Sequence, residues 1–558
     1  MKDIDAQVEF VAGAVERILW QIDADILSPT FGCAHLAYWR DKTSDFADMR
    51  CQEAMLPLAL LYANDYPGSS WKGNEKLKHA IEALLSFWSK NQYPDGSMDE
   101  WYKGERAFAA AAFSTHAVAR TLMIMKNNLP IDTIELAIKK LKNTAGWLMR
   151  RDDLFKANHQ AVGVAALAWA AQVLEEDVFK ENAYRKLRSI LGVQRKEGWF
   201  PEIGGMDAGY TFLTVEFIAM TMDLWKDWKH IEQLRRAFDF ACEWVHPDFT
   251  IASEYSICQN TYLSRIAVIL MSEFSGRAAY LRRSFGKESF GFKSFASTLA
   301  DDLRLLRWAY QPLLAYDYDR KKPPINLNKN EALPLSNPIG QALLYYDEAA
   351  MARFSCAKGT GIFAPAAGGL VRFFNPASGN SFSDYGYAIK FNGKYATNSF
   401  YHKNVTAEKE GDSLEVSCPV FSVKKFMPPF WARVALRIFS ATTVGSKIIR
   451  KAIDVIRRNK GTALNQSSAN LSASKPIGTL TRKISLAGDS IVVRDKLTFT
   501  KPVNKANIYF LESDNDSWMT SQPITARLSG LPAQIGHLEI VKRLHAADNK
   551  IELQLCAE

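Results

Sequence analysis

Residues 156–172 read KANHQAVGVAALAWAAQ, and no charge follows Lys156 until Glu175. Apart from two glutamines, every position from Gln160 to Leu174 is small or apolar. A run of this length without a polar face predicts a helix buried on nearly all sides. Asn158 stands where an N-cap is expected, which puts His159 in the first turn. The partial positive charge of a helix N-terminus disfavours imidazolium, so His159 is expected to be a neutral imidazole able to take a proton. A capping Asn beside a hydrogen-bonded core His would leave the same pattern with no chemistry attached.

Outward from this segment, residues 1–315 carry about a dozen runs of helical period. The loops between them are short and rich in turn residues: YPGSS, YPDGS, NNLPID, EGWFPEIGG. Short loops make neighbouring helices antiparallel, which suits a helical solenoid or an (α/α) toroid, closed or as an incomplete barrel. No repeat of fixed length occurs, which favours the toroid. Residues 316–345 read as a polar, proline-marked linker. From 346 to 558 alternating runs such as YGYAIKFNGKYATN and GTLTRKISLAGDSIVVRDKLTFT predict antiparallel hairpins and a β-sandwich. The expected class is therefore a multidomain α+β chain, with the helical domain first.

A chain of 558 residues exceeds a single core, and 47% hydrophobic with 23% charged residues is ordinary for a globular protein. The 12% aromatic share suits a groove that stacks sugar rings. Seven cysteines without a CxxC pair indicate neither a disulfide framework nor a zinc site, and point to a reducing compartment. The start MKDIDAQVEFVAGAVERILW lacks the layout of a signal peptide, and no eighteen-residue apolar run predicts a membrane span. A cytoplasmic location is expected. No ligand cluster calls for a metal or an organic cofactor.

Four polar clusters precede predicted helices, and alternate loops of a toroid open on one face. The first, DGSMDEWYKGERAF, holds Asp95, Asp99, Glu100, Tyr102, Glu105 and Arg106. The second is Asn158-His159. The third, GGMDAGYTFLTVEF, holds Asp207 and Tyr210, and the fourth, SEYSICQNTY, holds Glu254, Tyr255, Gln259 and Asn260. Asp99, Glu100, Tyr102, Glu105, Arg106, Asp207, Tyr255 and Asn260 are candidates for holding a substrate.

With Asn-His opening an inner helix, a glycine-flanked Tyr about fifty residues on, and helices before a sandwich, the chain resembles the heparinase II/III-like polysaccharide lyases. The resemblance implies β-elimination on an acidic, uronate-containing poly- or oligosaccharide. Asn158 would neutralise the uronate carboxylate, and His159 and Tyr210 would handle the protons. The chemistry is sound on its own terms. Removing a proton beside a carboxylate builds negative charge there, which an amide or cation stabilises while a neutral His or ionised Tyr acts as base. The sequence departs from the family at one point. Where a His-x-Asp pattern is expected before an alternating strand it has Phe382-Ser383-Asp384, and His402 is the nearest substitute.

The acids of the first cluster, with Asp207 across the cleft, support a rival reading as a glycoside hydrolase using two carboxylates. A non-catalytic glycan-binding or assembly protein is a third reading.

Between 424 and 460 lie ten Lys or Arg residues and one acid, Asp454, so this segment alone carries the chain's whole excess charge of +9. Local basicity of this kind argues against a general nucleic-acid surface. Interleaved with Phe, Trp, Ile, Leu and Val, it reads as a helical insertion lying in an anionic membrane interface, where each basic residue contributes about 1 kcal/mol. A solvated helix face and a lid attracting an acidic polymer are the other readings. Together these features suggest work at the cytoplasmic membrane face on a surface glycan or its lipid-linked precursor.

Overall fold

The computed structural model describes residues 3–251, 255–258, 260–285, 299, 301–322, 333–336, 341–357, 359–375, 380–402, 405, 407–425, 429–442, 444–449, 451–452, 462–463, 471–488, 490–504, 506–511, 524–528, 531, 534–545 and 550–557. Two kinds of helix alternate along the first part of the chain. Met55–Ala63, Phe108–Met125, Ala157–Leu174, Ala208–Trp225 and Arg265–Met271 bury nearly every side chain. Glu75–Lys90, Ile131–Met149, Asp177–Leu191 and Ile231–Cys242 bury one stripe and leave the rest to water. A helix apolar on all sides must sit inside, and a striped one can only cover it. The inner helices accordingly contact one another in sequence, and Tyr310–Lys321 closes the ring against Met55–Ala63. The fold of this half is an (α/α) toroid.

Phe108–Met125 is long and apolar enough to cross a membrane, a feature the sequence reading missed, but 83% of it is buried inside the ring. The last helix of the ring runs to Lys321, so 316–321 is helix where a connector was expected, and the first strand starts at Ala342.

The second half stacks two antiparallel sheets. Strands Ala342–Tyr346, Met351–Cys356, Gly359–Ala364, Leu370–Asn375 and Asn380–Asp384 form a five-stranded meander. The larger sheet is ten-stranded, centred on the long strands Ser413–Lys425, Leu471–Ala487, Ser490–Asn504 and Gln534–His545. The meander is covered on both faces. Ile362, Ala364, Leu370 and Phe374 belong to the core of the helical half, whereas Phe363, Val371, Phe373 and Phe382 pack between the sheets. Burial on both faces replaces the usual apolar–polar alternation with near-continuous burial along Gly359–Ala364 and Leu370–Asn375.

Polar contacts add to this seam. The Glu197 carboxylate accepts the Glu348 and Ala349 amides at 2.8 and 3.0 Å, and Arg353 pairs with Glu243 at 2.9 Å.

Four charges lie inside the sandwich. Arg482 bridges Asp384 at 3.1 Å and Asp495 at 2.6 Å, and Lys542 contacts both carboxylates. All four side chains are fully buried, and Tyr387 donates its hydroxyl to Asp495 at 2.6 Å.

Ser413–Lys425 and Leu471–Ala487 are hairpin partners whose pairing ends at Lys425 and Leu471. The basic insertion emerges from that end and forms the helix Phe430–Ser440. Of its basic residues, Arg450, Arg457, Arg458 and Lys460 lie outside the described residues.

Candidate active site

The N-termini of the inner helices share one rim of the toroid, and there the loops before Phe108–Met125 and Ala157–Leu174 enclose a cavity of about 470 Å³. The second loop, RRDDLFKANH, is densely charged and leads into a helix whose body carries no charge. His159 projects from the first turn into this cavity. Its Nδ1 lies 2.9 Å from the Asp153 carboxylate, which requires the proton on Nδ1 and leaves Nε2 with its lone pair. Burial, reinforced by the Lys156 charge, outweighs Asp153 and holds the imidazole below its ordinary pKa. His159 is thus a neutral, oriented base at working pH.

The walls carry both signs of charge and several rings. Arg106, Arg151 and Lys156 stand with Glu100, Glu105, Asp152 and Asp153, beside Trp101, Tyr102, Phe108, Trp147 and Phe155. Arg106 has a backbone φ of +53° and is tied to Asp95 at 2.7 Å. Asp152 is held by Lys186 at 2.8 Å and Arg185 at 3.1 Å. Arg151 and Lys156 make no ion pair among the described residues, so these two cations remain available to an anion in the cavity.

Behind Glu100 lies a buried network of Asp48, Arg50, Glu53 and Arg307. Arg50 and Arg307 each stand 3.5 Å from Glu100. Burial alone would raise its pKa, but the two guanidinium groups outweigh it and hold Glu100 below its ordinary value. Glu105 has no ion-pair partner among the described residues. Burial, with Glu100 and Asp99 nearby, pushes it up to about 7, although it accepts the Trp101 amide at 2.7 Å. Two carboxyls on one wall thus favour opposite protonation states, the arrangement that separates an acid from a base.

The other predicted residues are placed differently. Asn158 is not the N-cap: Lys156 occupies that position. The Asn158 side chain and backbone N–H groups both donate to Glu202 Oε1 at 2.7 Å. Glu202 is itself pushed up to about 8 by burial. Among the described residues the cavity wall includes neither Asn158 nor Tyr210. Burial raises the Tyr210 hydroxyl well above its usual value, so the phenol keeps its proton.

Asp207 is fully buried as the N-cap of Ala208–Trp225, accepting the Tyr210 amide at 2.8 Å and the Cys258 amide at 3.1 Å. Asp99 staples its loop by accepting from Tyr93, Gly104 and Arg106. Tyr255 is buried edge-on to His246, and the buried Asn260 accepts the Tyr262 amide at 2.9 Å. Asp99, Asp207, Tyr255 and Asn260 therefore shape the rim from behind. Glu254 and Gln259 lie outside the described residues.

Phe382 stacks on Phe510 in the sandwich core, with ring centroids 6.3 Å apart, and Asp384 is consumed by the internal charge cluster. His402 is buried against Phe421, burial pushes it down to about 4, and it does not line the cavity. Its neighbour Tyr401 reaches the helical half, where its hydroxyl accepts the Met206 amide at 3.2 Å.

Sequence reasoning missed Asp153, Arg151, Lys156, Phe155 and Trp101. The first four sit immediately before Asn158, so the charge density of RRDDLFK was the available signal.

A closed helical toroid followed by stacked antiparallel sheets can be compared with known folds. No protein-family model matches the sequence, and no curated protein does. Solved structures match. A xanthan lyase from Paenibacillus is 11% identical with a TM-score of 0.54, covering 98% of this chain and 51% of that one. A chondroitin AC lyase from Streptomyces coelicolor A3, solved with chondroitin sulphate, is 9% identical with a TM-score of 0.54, covering 91% of this chain and 68% of that one. Heparinase III is 11% identical with a TM-score of 0.45. The first two likenesses establish the fold expected from the sequence. The chain spans about half the length of the xanthan lyase.

Proposed function

We propose that the protein cleaves an acidic, uronate-containing poly- or oligosaccharide by β-elimination in the rim cavity. The observation that carries this reading is the Asp153–His159 pair, which presents a neutral imidazole Nε2 to a cavity whose Arg151 and Lys156 stand outside any ion pair among the described residues. His159 removes the proton beside the uronate carboxylate, and Arg151 and Lys156 stabilise the charge that builds on that group. The carbanion then expels the glycosidic oxygen and leaves a double bond. That oxygen needs a proton from a group still protonated at neutral pH. Glu105, which lines the cavity and is pushed up to about 7 by burial, supplies it; Tyr210, given this role by the resemblance, keeps its proton under burial but is not among the described residues of the cavity wall. Asn158, anchored to Glu202, supports the first turn of the helix from which His159 projects.

The opposed carboxyls favour a second reading. Glu105 as acid and Glu100 as base or nucleophile would hydrolyse a glycosidic bond instead. Incubation with uronate polymers under ultraviolet detection separates the two, because elimination leaves an absorbing unsaturated ring and hydrolysis does not. New reducing ends without absorbance would reject the lyase. Neither signal on any uronate polymer would leave glycan binding without turnover.

A further inference from the structure

We propose that the described residues 429–442, 444–449 and 451–452 form a docking surface for an anionic lipid bilayer, and that this surface sets the mouth of the rim cavity against the membrane. The helix Phe430–Ser440 is an unusual object for a folded protein. Its one buried residue is Ser440, while Phe430 is 82% exposed, Trp431 72%, Ile438 65% and Phe439 51%. Beyond it Val444 and Ile448 are exposed as well. Phe430, Val434 and Ile438 recur every four residues and form one stripe, with Trp431 beside it. Arg433 and Arg437, also four apart, run along its edge, and Lys447 and Lys451 are exposed in the following turns. Not one acid occurs from 429 to 452.

An isolated helix of three turns is marginal in water, so a surface of this kind needs an apolar partner to be worth its exposure. Charge decides which partner. A second copy of the chain would bring the same basic residues against these, and like charges would repel. An anionic headgroup layer attracts every cation in the segment while its acyl boundary takes up Phe, Trp, Ile and Val.

The surface is fixed to the site. The Ser446 hydroxyl donates to the Lys103 carbonyl at 3.2 Å and to the Ser440 carbonyl at 3.1 Å. At Gly104, with a φ of +77°, a side chain would collide with Ser446 at 2.2 Å, so glycine is what allows the contact. Lys103 and Gly104 belong to the same loop as Trp101 and Tyr102, which line the cavity, and Trp101 is 66% exposed. A bilayer bound by the helix therefore lies beside the cavity mouth, as suits a glycan carried on or near a membrane. This inference does not depend on whether the site eliminates or hydrolyses.

Flotation of the full chain with vesicles tests it by binding alone. Phosphatidylcholine–phosphatidylglycerol vesicles should carry at least about tenfold more protein than phosphatidylcholine vesicles, with the excess lost as salt rises. The triple substitution Phe430→Ser, Trp431→Ser, Ile438→Ser should cut partitioning about tenfold with an unchanged thermal midpoint, since these side chains support nothing inside the fold. An environment-sensitive fluorophore at Trp101→Cys should shift to the blue on anionic vesicles. Absence of flotation on the anionic vesicles, or equal flotation of the triple variant, would overturn the docking surface. A bound protein whose label at 101 still reports water would overturn the placement of the cavity. Self-association abolished by the triple substitution, without vesicle binding, would assign the face to a second copy.

Discussion

Two buried charge networks among the described residues, one in the sandwich and one behind the cleft, differ in balance. In the sandwich, Arg482 and Lys542 face Asp384 and Asp495, two cations against two carboxylates, all fully buried. At the cleft, Arg50 and Arg307 face Asp48, Glu53 and Glu100, and one guanidinium nitrogen of each arginine has no hydrogen-bond partner among the described residues. A balanced, enclosed set holds fixed protonation states and contributes structural specificity. An unbalanced set next to a cavity spreads its pKa values, as Glu53, raised to about 7 by burial, and Glu100, lowered overall, illustrate. Balance thus separates a network that fastens sheets together from one that prepares a surface for chemistry.

The largest expected effect lies at the cleft. His159→Ala should lower the rate of appearance of unsaturated product by about 10³-fold while leaving the fold intact. Asp153→Asn should cost nearly as much, because an amide donating to Nδ1 would move the imidazole proton onto Nε2 and block the base. A hydrolase would instead survive His159→Ala and fail on Glu105→Gln.

The sandwich network should respond in stability and not in rate. Arg482→Met leaves Lys542 alone against two buried carboxylates and should cost about 3–5 kcal/mol in denaturant unfolding, with the activity of the remaining folded protein unchanged.

Acid and base should then act on the two networks in opposite senses. Asp495 is buried, but Arg482 and Lys542 hold it below its ordinary 3.8, so its contribution is complete above that pH and lost only as the pH falls through the lower folded value. Glu53 is raised from 4.5 to about 7, so its contribution is complete below 4.5 and lost as the pH rises to about 7. Glu53→Gln should remove that part of the decline between pH 4.5 and 7, read as a smaller difference in thermal midpoint across the window.

The smallest effect concerns the join between cleft loop and insertion. Gly104→Ala should cost about 1 kcal/mol or more, because it demands a left-handed backbone from Ala and pushes Ser446 away. Thermal unfolding measures the cost, and a null result would mean that the loop and insertion separate freely.

Much of the fold was legible because burial writes itself into composition. The helix Ala157–Leu174 could be read from its lack of a polar face, and the outer helices from their stripes. The strands Gly359–Ala364 and Leu370–Asn375 were harder to place, since burial on both faces hides which layer each face meets. The site was legible where its partners are local: His159 in a first turn, and a charged loop before it. It was obscure where the partner is distant. Glu202 lies 44 residues from Asn158, and no spacing rule connects them. The acids of the first cluster share a sequence neighbourhood but not a job, because Asp99 turns inward to staple its loop while Glu100 and Glu105 reach the cavity wall. Phe382 is explained by a stacking partner, Phe510, that is remote in sequence.

The doubly covered meander has a consequence for how the chain comes apart. One sheet supplies core side chains to the helices through Ile362, Leu370 and Phe374 and to the larger sheet through Phe363, Val371 and Phe373. Neither neighbour is a finished globule without it, and a cut near residue 341 would expose an oily face on both fragments. Heat should melt the whole chain in one cooperative transition, although its sequence is written in two plainly different styles.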